Sequence, residues 1–163
     1  MKSTGEAMGI GQYFGTAYYK AMLASGNEVP VEGWVFVSVG DRDKKKIVPI
    51  ARRMHELGLY LVATEGTGKR LLGAGIPTEV IGKVSNGRPD AIDLMRSGGI
   101  SLVINTPTEG RDPRRDGYML RRVAVDMAIP FITTMSAAEA ATEAIQRMDK
   151  KTVRSLEDYY SGS

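Results

Sequence analysis

Cysteine is absent from this 163-residue chain, and histidine occurs only once, as His55. A chain without cysteine has no disulfide and no thiol nucleophile, and one histidine cannot form the ligand clusters of a zinc site. We therefore expect no bound metal and no cofactor in this chain. The lack of disulfides is typical of the reducing cytoplasm, where we expect the protein to reside.

Long hydrophobic runs are also missing. No segment approaches the roughly 20 apolar residues that a membrane span requires, and residues 1–6 lack the apolar stretch of a signal peptide. The net charge of +3, from 22 basic and 19 acidic residues, is too small to indicate nucleic-acid binding. It mildly favours an anionic small-molecule partner, so we expect neither a membrane nor a nucleic acid as partner.

Short apolar runs predict the strands of one buried parallel sheet. They do not alternate with polar residues, and many are β-branched, which is typical of strands covered on both faces. Four runs are clear and a fifth is weaker: residues 34–39, 59–64, 101–105 and 129–133, with residues 78–81 as the fifth.

The segments between these predicted strands have the residue pattern of helices. Apolar residues recur every three or four positions, and glycines mark the predicted helix ends. The predicted helices cover residues 47–57, 67–74, 89–97, 115–127 and 136–148. Strands that alternate with helices predict an α/β fold with three layers, a doubly wound parallel sheet of five strands flanked by helices.

Both ends of the chain differ from this central domain, which we predict to span residues 31–148. Residues 1–30 contain an apolar and aromatic helix pattern over 13–22, so we expect this segment to pack against something outside the domain. Residues 149–163 form a charged tail.

Hydroxyl, amide and glycine residues follow the predicted strands at the edge where the strands end. In open α/β sheets this edge binds ligands, and hydroxyls, free backbone N–H groups and helix N-termini suit a phosphate. The candidates at the strand ends and the nearby cations are Ser38, Lys44, Thr64, Gly66, Thr67, Lys83, Arg88, Asn105 and Thr106. Each threonine taken alone is more commonly a helix cap than a ligand. Their occurrence at several strand ends nevertheless predicts an anion site.

Catalytic groups are scarce by comparison. His55 lies in the middle of a helix pattern, where a structural role is the better interpretation. The carboxylates, among them Asp41 and Asp43, lie at predicted loops and helix starts, where capping explains them. No nucleophile, base and orienting group occur together. We therefore predict no catalytic residue, and a site that holds an anion without transforming it.

Several motifs, in order, resemble the C-terminal domain of the carbamoyl phosphate synthetase large subunit. Lys2-Ser3-Thr4-Gly5-Glu6-Ala7-Met8-Gly9 is similar to the end of the family's second ATP-grasp half. The domain itself is matched by Ala63-Thr64-Glu65-Gly66-Thr67, Lys83-Val84-x-x-Gly87-Arg88-Pro89, Ile104-Asn105-Thr106-Pro107 and Arg121-Arg122-x-Ala124. The resemblance covers essentially the whole chain. It implies a methylglyoxal synthase-like fold, with residues 1–30 as a connecting segment from the preceding ATP-grasp module.

This resemblance implies an allosteric, effector-binding role. The family's large subunit makes carbamoyl phosphate for pyrimidine and arginine biosynthesis, with ATP and Mg²⁺ or Mn²⁺ in its ATP-grasp modules and glutamine hydrolysed by a small subunit. The C-terminal domain binds effectors such as UMP and IMP, and it helps large subunits associate into oligomers. The matched nucleotide-site positions are Lys44, Thr64, Thr67, Lys83, Asn105 and Thr106. Ser38, Gly66 and Arg88 are secondary candidates. Pro107 stands where some members have a second threonine, so the identity of the nucleotide stays open.

Two alternatives remain beside effector binding. Methylglyoxal synthase resembles this chain in its phosphate loop and acts on a triose phosphate as a lyase. It needs a carboxylate in a Gly-Gly-Asp turn and a histidine near the fourth strand. This chain has Asn86-Gly87-Arg88 at that turn and no histidine beyond His55. The second alternative is a structural module used only for assembly.

Overall fold

Five short strands form one parallel sheet in the computed structural model, which describes residues 7–82, 90–107, 114–148 and 157. The strands are β1 (Trp34–Ser38), β2 (Tyr60–Thr64), β3 (Glu79–Ile81), β4 (Leu102–Asn105) and β5 (Phe131–Ile132). Their order across the sheet is β3-β2-β1-β4-β5. The chain adds strands to one side of β1 and then returns to its other side, so a topological switch point lies between β1 and β4.

Six α-helices occur in the described part of the chain. They are α1 (Phe14–Ala24), α2 (Ile47–Glu56), α3 (Glu65–Leu72), α4 (Ala91–Arg96), α5 (Arg114–Asp126) and α6 (Met135–Gln146). A three-residue 3₁₀ helix, Asp41–Asp43, joins β1 to α2 and is called here the 3₁₀ turn. These elements follow the predicted pattern, and the fold class predicted from the sequence is confirmed.

The sheet separates two apolar cores, as a doubly wound fold requires. On one face Val37 and Ile104 pack with Ile47 and Met54 of α2, together with residues of α3 and α6. On the other face Phe36, Val62 and Val103 pack with α4 and α5. Residues 35–37, 61–63 and 102–104 of the central strands are all apolar, because both faces of the sheet are buried there. This explains why their sequences do not alternate.

The helix α6 is rich in alanine because it is covered on both sides. It packs on the sheet core through Ala138, Ala141 and Ile145, and α1 lies against it from outside. A Cβ added to Gly15 of α1 would lie 2.8 Å from the backbone carbon of Glu143, so the two helices approach very closely. The helix α1 therefore packs on this domain itself, where we had expected it to pack outside. Its role as a connecting segment stays a prediction.

The last strand is shorter than predicted, because residues 128 and 129 end the preceding helix. Ala128 has a φ of 53°, and the N–H of Ile129 donates to the carbonyl of Ala124 at 2.8 Å. This left-handed termination of α5 uses Ile129 as a helix cap. Only Phe131 and Ile132 remain for β5, whereas the apolar run had predicted a strand over residues 129–133.

Candidate anion-binding site

Three neighbouring strands end in polar residues at the same edge of the sheet. Ser38 ends β1, Thr64 ends β2 and Asn105 ends β4, and Ser38 lies opposite Asn105 in the parallel register. The Thr64 hydroxyl donates to Ser38 Oγ at 3.2 Å. The switch point of the sheet lies at this edge, so the three side chains lie where α/β folds bind ligands.

Two further threonines hold the backbone that leaves β1. The N–H of Val39 donates to Thr67 Oγ1 at 3.2 Å, and the N–H of Gly40 donates to Thr106 Oγ1 at 3.0 Å. Thr67 is 1% exposed and Thr106 is 3% exposed. These hydroxyls are therefore engaged with the chain itself, and they fix the position of the 3₁₀ turn that follows.

The N-terminus of α3 points into the same edge without a side-chain cap. Thr64 is its N-cap residue, but its hydroxyl turns to Ser38 and accepts no hydrogen bond from the first helical turn. Asp90 caps α4 and Thr134 caps α6 through their side chains, whereas α1 and α2, like α3, begin without a side-chain cap. Backbone N–H groups at the start of α3 are thus directed toward a position where an anion would be stabilised.

Lys44 places its ammonium beside this helix start. A Cβ added to Gly66, in the first turn of α3, would lie 3.1 Å from Lys44 Nζ. The side chain of Lys44 is 29% exposed, and its ammonium is paired with Asp41 Oδ1 at 2.5 Å. Glycine at position 66 therefore gives the lysine room to reach the backbone of the helix.

The amide of Asn105 is the least engaged of the predicted groups. Within the described ranges its side chain makes no hydrogen bond, and a Cβ added to Gly117 of α5 would lie 3.3 Å from Asn105 Nδ2. Its amide carries both donor and acceptor atoms, which is the chemistry that the predicted role in ligand binding requires.

The predicted residues Ser38, Lys44, Thr64, Gly66, Thr67, Asn105 and Thr106 thus gather at one edge of the sheet. Lys83 and Arg88 lie outside the described residues. Whether any of these side chains binds a ligand stays a prediction.

Asp41 is a neighbour of the site that sequence reasoning assigned only to a loop or cap. In the structure its carboxylate forms the ion pair with Lys44, three residues further along the chain. The spacing could have indicated this contact, because residues three apart face each other across one helical turn. A carboxylate therefore lies at the edge where we had predicted an anion site without a catalytic residue.

His55 lies far from this edge along the fold. It is near the end of α2, and the N–H of Gly58 donates to its carbonyl just before β2 begins at Tyr60. Because the candidate site lies where the strands end, the histidine is at the opposite edge of the sheet. This placement gives it no part in chemistry at the candidate site.

Comparison with known proteins agrees with this architecture. Residues 46–133 match the family described as MGS-like domain, which is more than half of the chain. The chain belongs to the MGS-like domain family. A crystal structure of methylglyoxal synthase from Elizabethkingia anophelis has the same fold, with a TM-score of 0.58 and 15% identity over 83% of this chain and 94% of the other.

The MGS-like domain is also similar to proteins named carbamoyl phosphate synthase large chain. It is 55% identical to the protein named carbamoyl phosphate synthase large chain, C-terminal section, from Methanopyrus kandleri, over 99% of this chain and 30% of that one. It is 47% identical to a large chain from Methanosarcina barkeri, over 98% of this chain and 41% of that one. The resemblance stated from the sequence is confirmed, and the chain spans less than half the length of these relatives.

Among the residues that the structure describes, no helix has both the length and the apolar character to cross a bilayer. In the same residues, no three acidic or histidine side chains form a group suited to a metal ion.

Proposed function

We propose that this MGS-like domain is the effector-binding domain of a carbamoyl phosphate synthase large chain. In this proposal it binds the phosphate of a nucleotide such as UMP or IMP and thereby regulates carbamoyl phosphate synthesis for the pyrimidine and arginine pathways. Its role is binding and not catalysis. The high identity to C-terminal sections of such chains supports the proposal.

The observation that carries the proposal is the start of α3. Its first turn lacks a side-chain cap, and Lys44 Nζ lies against Gly66 in that turn. A helix N-terminus and an ammonium together favour a dianionic group over a neutral one. The hydroxyls of Ser38 and Thr64 lie at the adjoining strand ends.

Each site residue takes a role in this proposal. The phosphate docks on the first turn of α3, between Lys44 and Thr64, and Gly66 lets it approach the backbone. Asn105 reaches the sugar or base from the neighbouring strand. Thr67 and Thr106 hold the backbone that positions Lys44, with their remaining hydrogen-bonding capacity directed to the ligand. Lys83 and Arg88 supply further positive charge.

The wider assembly is part of the same proposal. ATP and its Mg²⁺ or Mn²⁺ bind in ATP-grasp modules of the large chain, and a glutaminase small subunit supplies ammonia, all in the cytoplasm. The proposal also includes association of copies of this domain, so that the large chain forms a homo-oligomer. The effector changes the activity through residues 1–30, whose helix α1 packs on α6 and exposes Phe14 and Leu23. The coupling free energy between an effector site and an active site is typically about 1–3 kcal/mol.

Calorimetric titration of the purified chain with UMP, IMP and inorganic phosphate tests the proposal. We expect Lys44→Gln to weaken phosphate binding by about tenfold or more, because a charge-assisted hydrogen bond is lost. Lys45→Gln is the matched control, since Lys45 is the exposed next residue and carries the same charge.

Two results would contradict this assignment. Equal affinity of the wild type and Lys44→Gln would show that the ligand binds elsewhere. Formation of methylglyoxal from a triose phosphate by the purified chain would favour the lyase alternative.

A further inference from the structure

The ammonium of Lys44 already has an anionic partner in the candidate site. Asp41 Oδ1 lies 2.5 Å from Lys44 Nζ, and both residues belong to the short segment between β1 and α2. The two side chains differ in their environment. The Asp41 side chain is 83% exposed, whereas that of Lys44 is 29% exposed and lies against α3. The carboxylate therefore contacts the ammonium from the solvent side.

The other carboxylate of the 3₁₀ turn does not share this arrangement. Asp43 is buried, and it pairs with Arg42 at 3.7 Å and with Lys46 at 3.9 Å. Asp43 thus belongs to the packing of the turn, whereas Asp41 faces the ammonium of Lys44.

We propose that Asp41 sets the affinity of the site by acting as a built-in competing anion. This inference rests on the proposed function, because it concerns the same phosphate. In the structure the Asp41 carboxylate pairs with the ammonium of Lys44. An incoming phosphate must compete for that ammonium and then lie beside the negative charge of Asp41.

Competition weakens binding for two physical reasons. The ion pair with Asp41 must be broken or shared, and like charges repel once the phosphate is bound. Because Asp41 is largely exposed, water screens both effects, so the carboxylate lowers the affinity without closing the site. The site then releases its ligand readily and responds to changes in the ligand concentration.

The test compares phosphate binding by the wild type and by Asp41→Asn, which keeps the size of the side chain and removes its charge. Calorimetry with inorganic phosphate and with UMP should show affinity about threefold to tenfold higher in Asp41→Asn, in keeping with an exposed ion pair. In a Lys44→Gln background the same substitution should have less than half of this effect, because the competition acts through the ammonium.

Two controls carry the same change of charge. Glu65→Gln lies in the first turn of α3, but Glu65 pairs with Lys69 at 2.7 Å. Glu56→Gln lies near the end of α2, at the opposite edge of the sheet. We expect Glu56→Gln to leave the affinity unchanged and Glu65→Gln to raise it less than Asp41→Asn does.

The outcomes separate this inference from the proposed function. If binding depends on Lys44 but Asp41→Asn binds no more tightly, the inference is wrong and the proposed function stands. Equal gains from Asp41→Asn and Glu65→Gln would also overturn it, since a general change of charge would then explain both. If phosphate binding is absent or independent of Lys44, the proposed function fails and this inference fails with it.

Discussion

At the scale of single residues, the structure adds structural partners for the threonine hydroxyls at the strand ends, while their binding to an anion stays a prediction. The sequence predicted that Thr67 and Thr106 face an anion. In the structure their oxygens accept hydrogen bonds from backbone N–H groups of Val39 and Gly40, which lie 28 and 66 residues away along the chain. A pattern read locally can predict that a hydroxyl lies at this edge, but it cannot predict which distant backbone group the hydroxyl contacts.

Thr67 therefore provides a prediction about stability. Thr67→Val keeps the shape of the side chain but leaves the buried N–H of Val39 without its acceptor, which costs about 1–3 kcal/mol. Thr67→Ser keeps the hydroxyl and loses one methyl group, worth about 0.8 kcal/mol when fully buried. We expect urea unfolding to show Thr67→Val as the less stable of the two. The opposite order would show that the methyl group matters more than the hydrogen bond.

At the scale of elements, helix and strand identities followed from the sequence because each has a local cause. Continuous apolar runs indicated buried strands, and glycines indicated the ends of α2 and α4, where Gly58 and Gly98 have positive φ. The predicted helix over residues 115–127 ends within one residue of α5, but its left-handed termination was not predicted, because Ala128 adopts this conformation without being glycine. Without that signal, the apolar pair Ile129-Pro130 was interpreted as the start of a strand.

The termination of α5 provides a second prediction about stability. Alanine at a φ of 53° carries steric strain of roughly 1–2 kcal/mol that glycine avoids. Part of this stabilisation is lost, because glycine has greater conformational freedom than alanine in the unfolded chain. We expect Ala128→Gly to raise the free energy of unfolding by about 0.5–1 kcal/mol.

Gly98→Ala is the matched substitution in the opposite direction. Gly98 ends α4 with the same hydrogen-bond pattern, it has a φ of 75°, and a Cβ added there would meet nothing within 4 Å. We expect it to destabilise the domain by about 0.5–1 kcal/mol, since the added Cβ makes no contact and the backbone strain exceeds the gain from reduced freedom of the unfolded chain. A stabilising effect of Gly98→Ala in thermal or urea unfolding would contradict this account of both helix ends.

At the scale of the whole molecule, the docking of α1 could not be predicted from the sequence. The pattern over residues 13–22 indicated an apolar helix, but nothing local identifies its partner. In the structure α1 covers α6, Tyr19 is buried, and Tyr18 packs against the core that α2 and α6 share with the sheet. Gly15 allows this approach through its contact with Glu143, and such a fit between distant residues appears only in the folded chain.

The docking of α1 predicts how stability depends on pH. Burial raises the pKa of Tyr18 above its ordinary value of 10.0, because desolvation penalises the phenolate. The unfolded tyrosine loses its proton near pH 10 and the folded one only at higher pH. The stabilising contribution of the neutral phenol is therefore fully present below pH 10 and is lost as the pH rises through the folded pKa.

Tyr18→Phe isolates this contribution from the other titrating groups. We expect the wild type to lose more stability than Tyr18→Phe between about pH 9 and pH 11, in urea unfolding measured at each pH. Tyr118→Phe removes an exposed phenol from α5. This control variant should lose as much stability as the wild type does over the same pH range. A constant difference between the wild type and Tyr18→Phe over this range would contradict the prediction, because the pKa of Tyr18 would then be the same in the folded and unfolded chains.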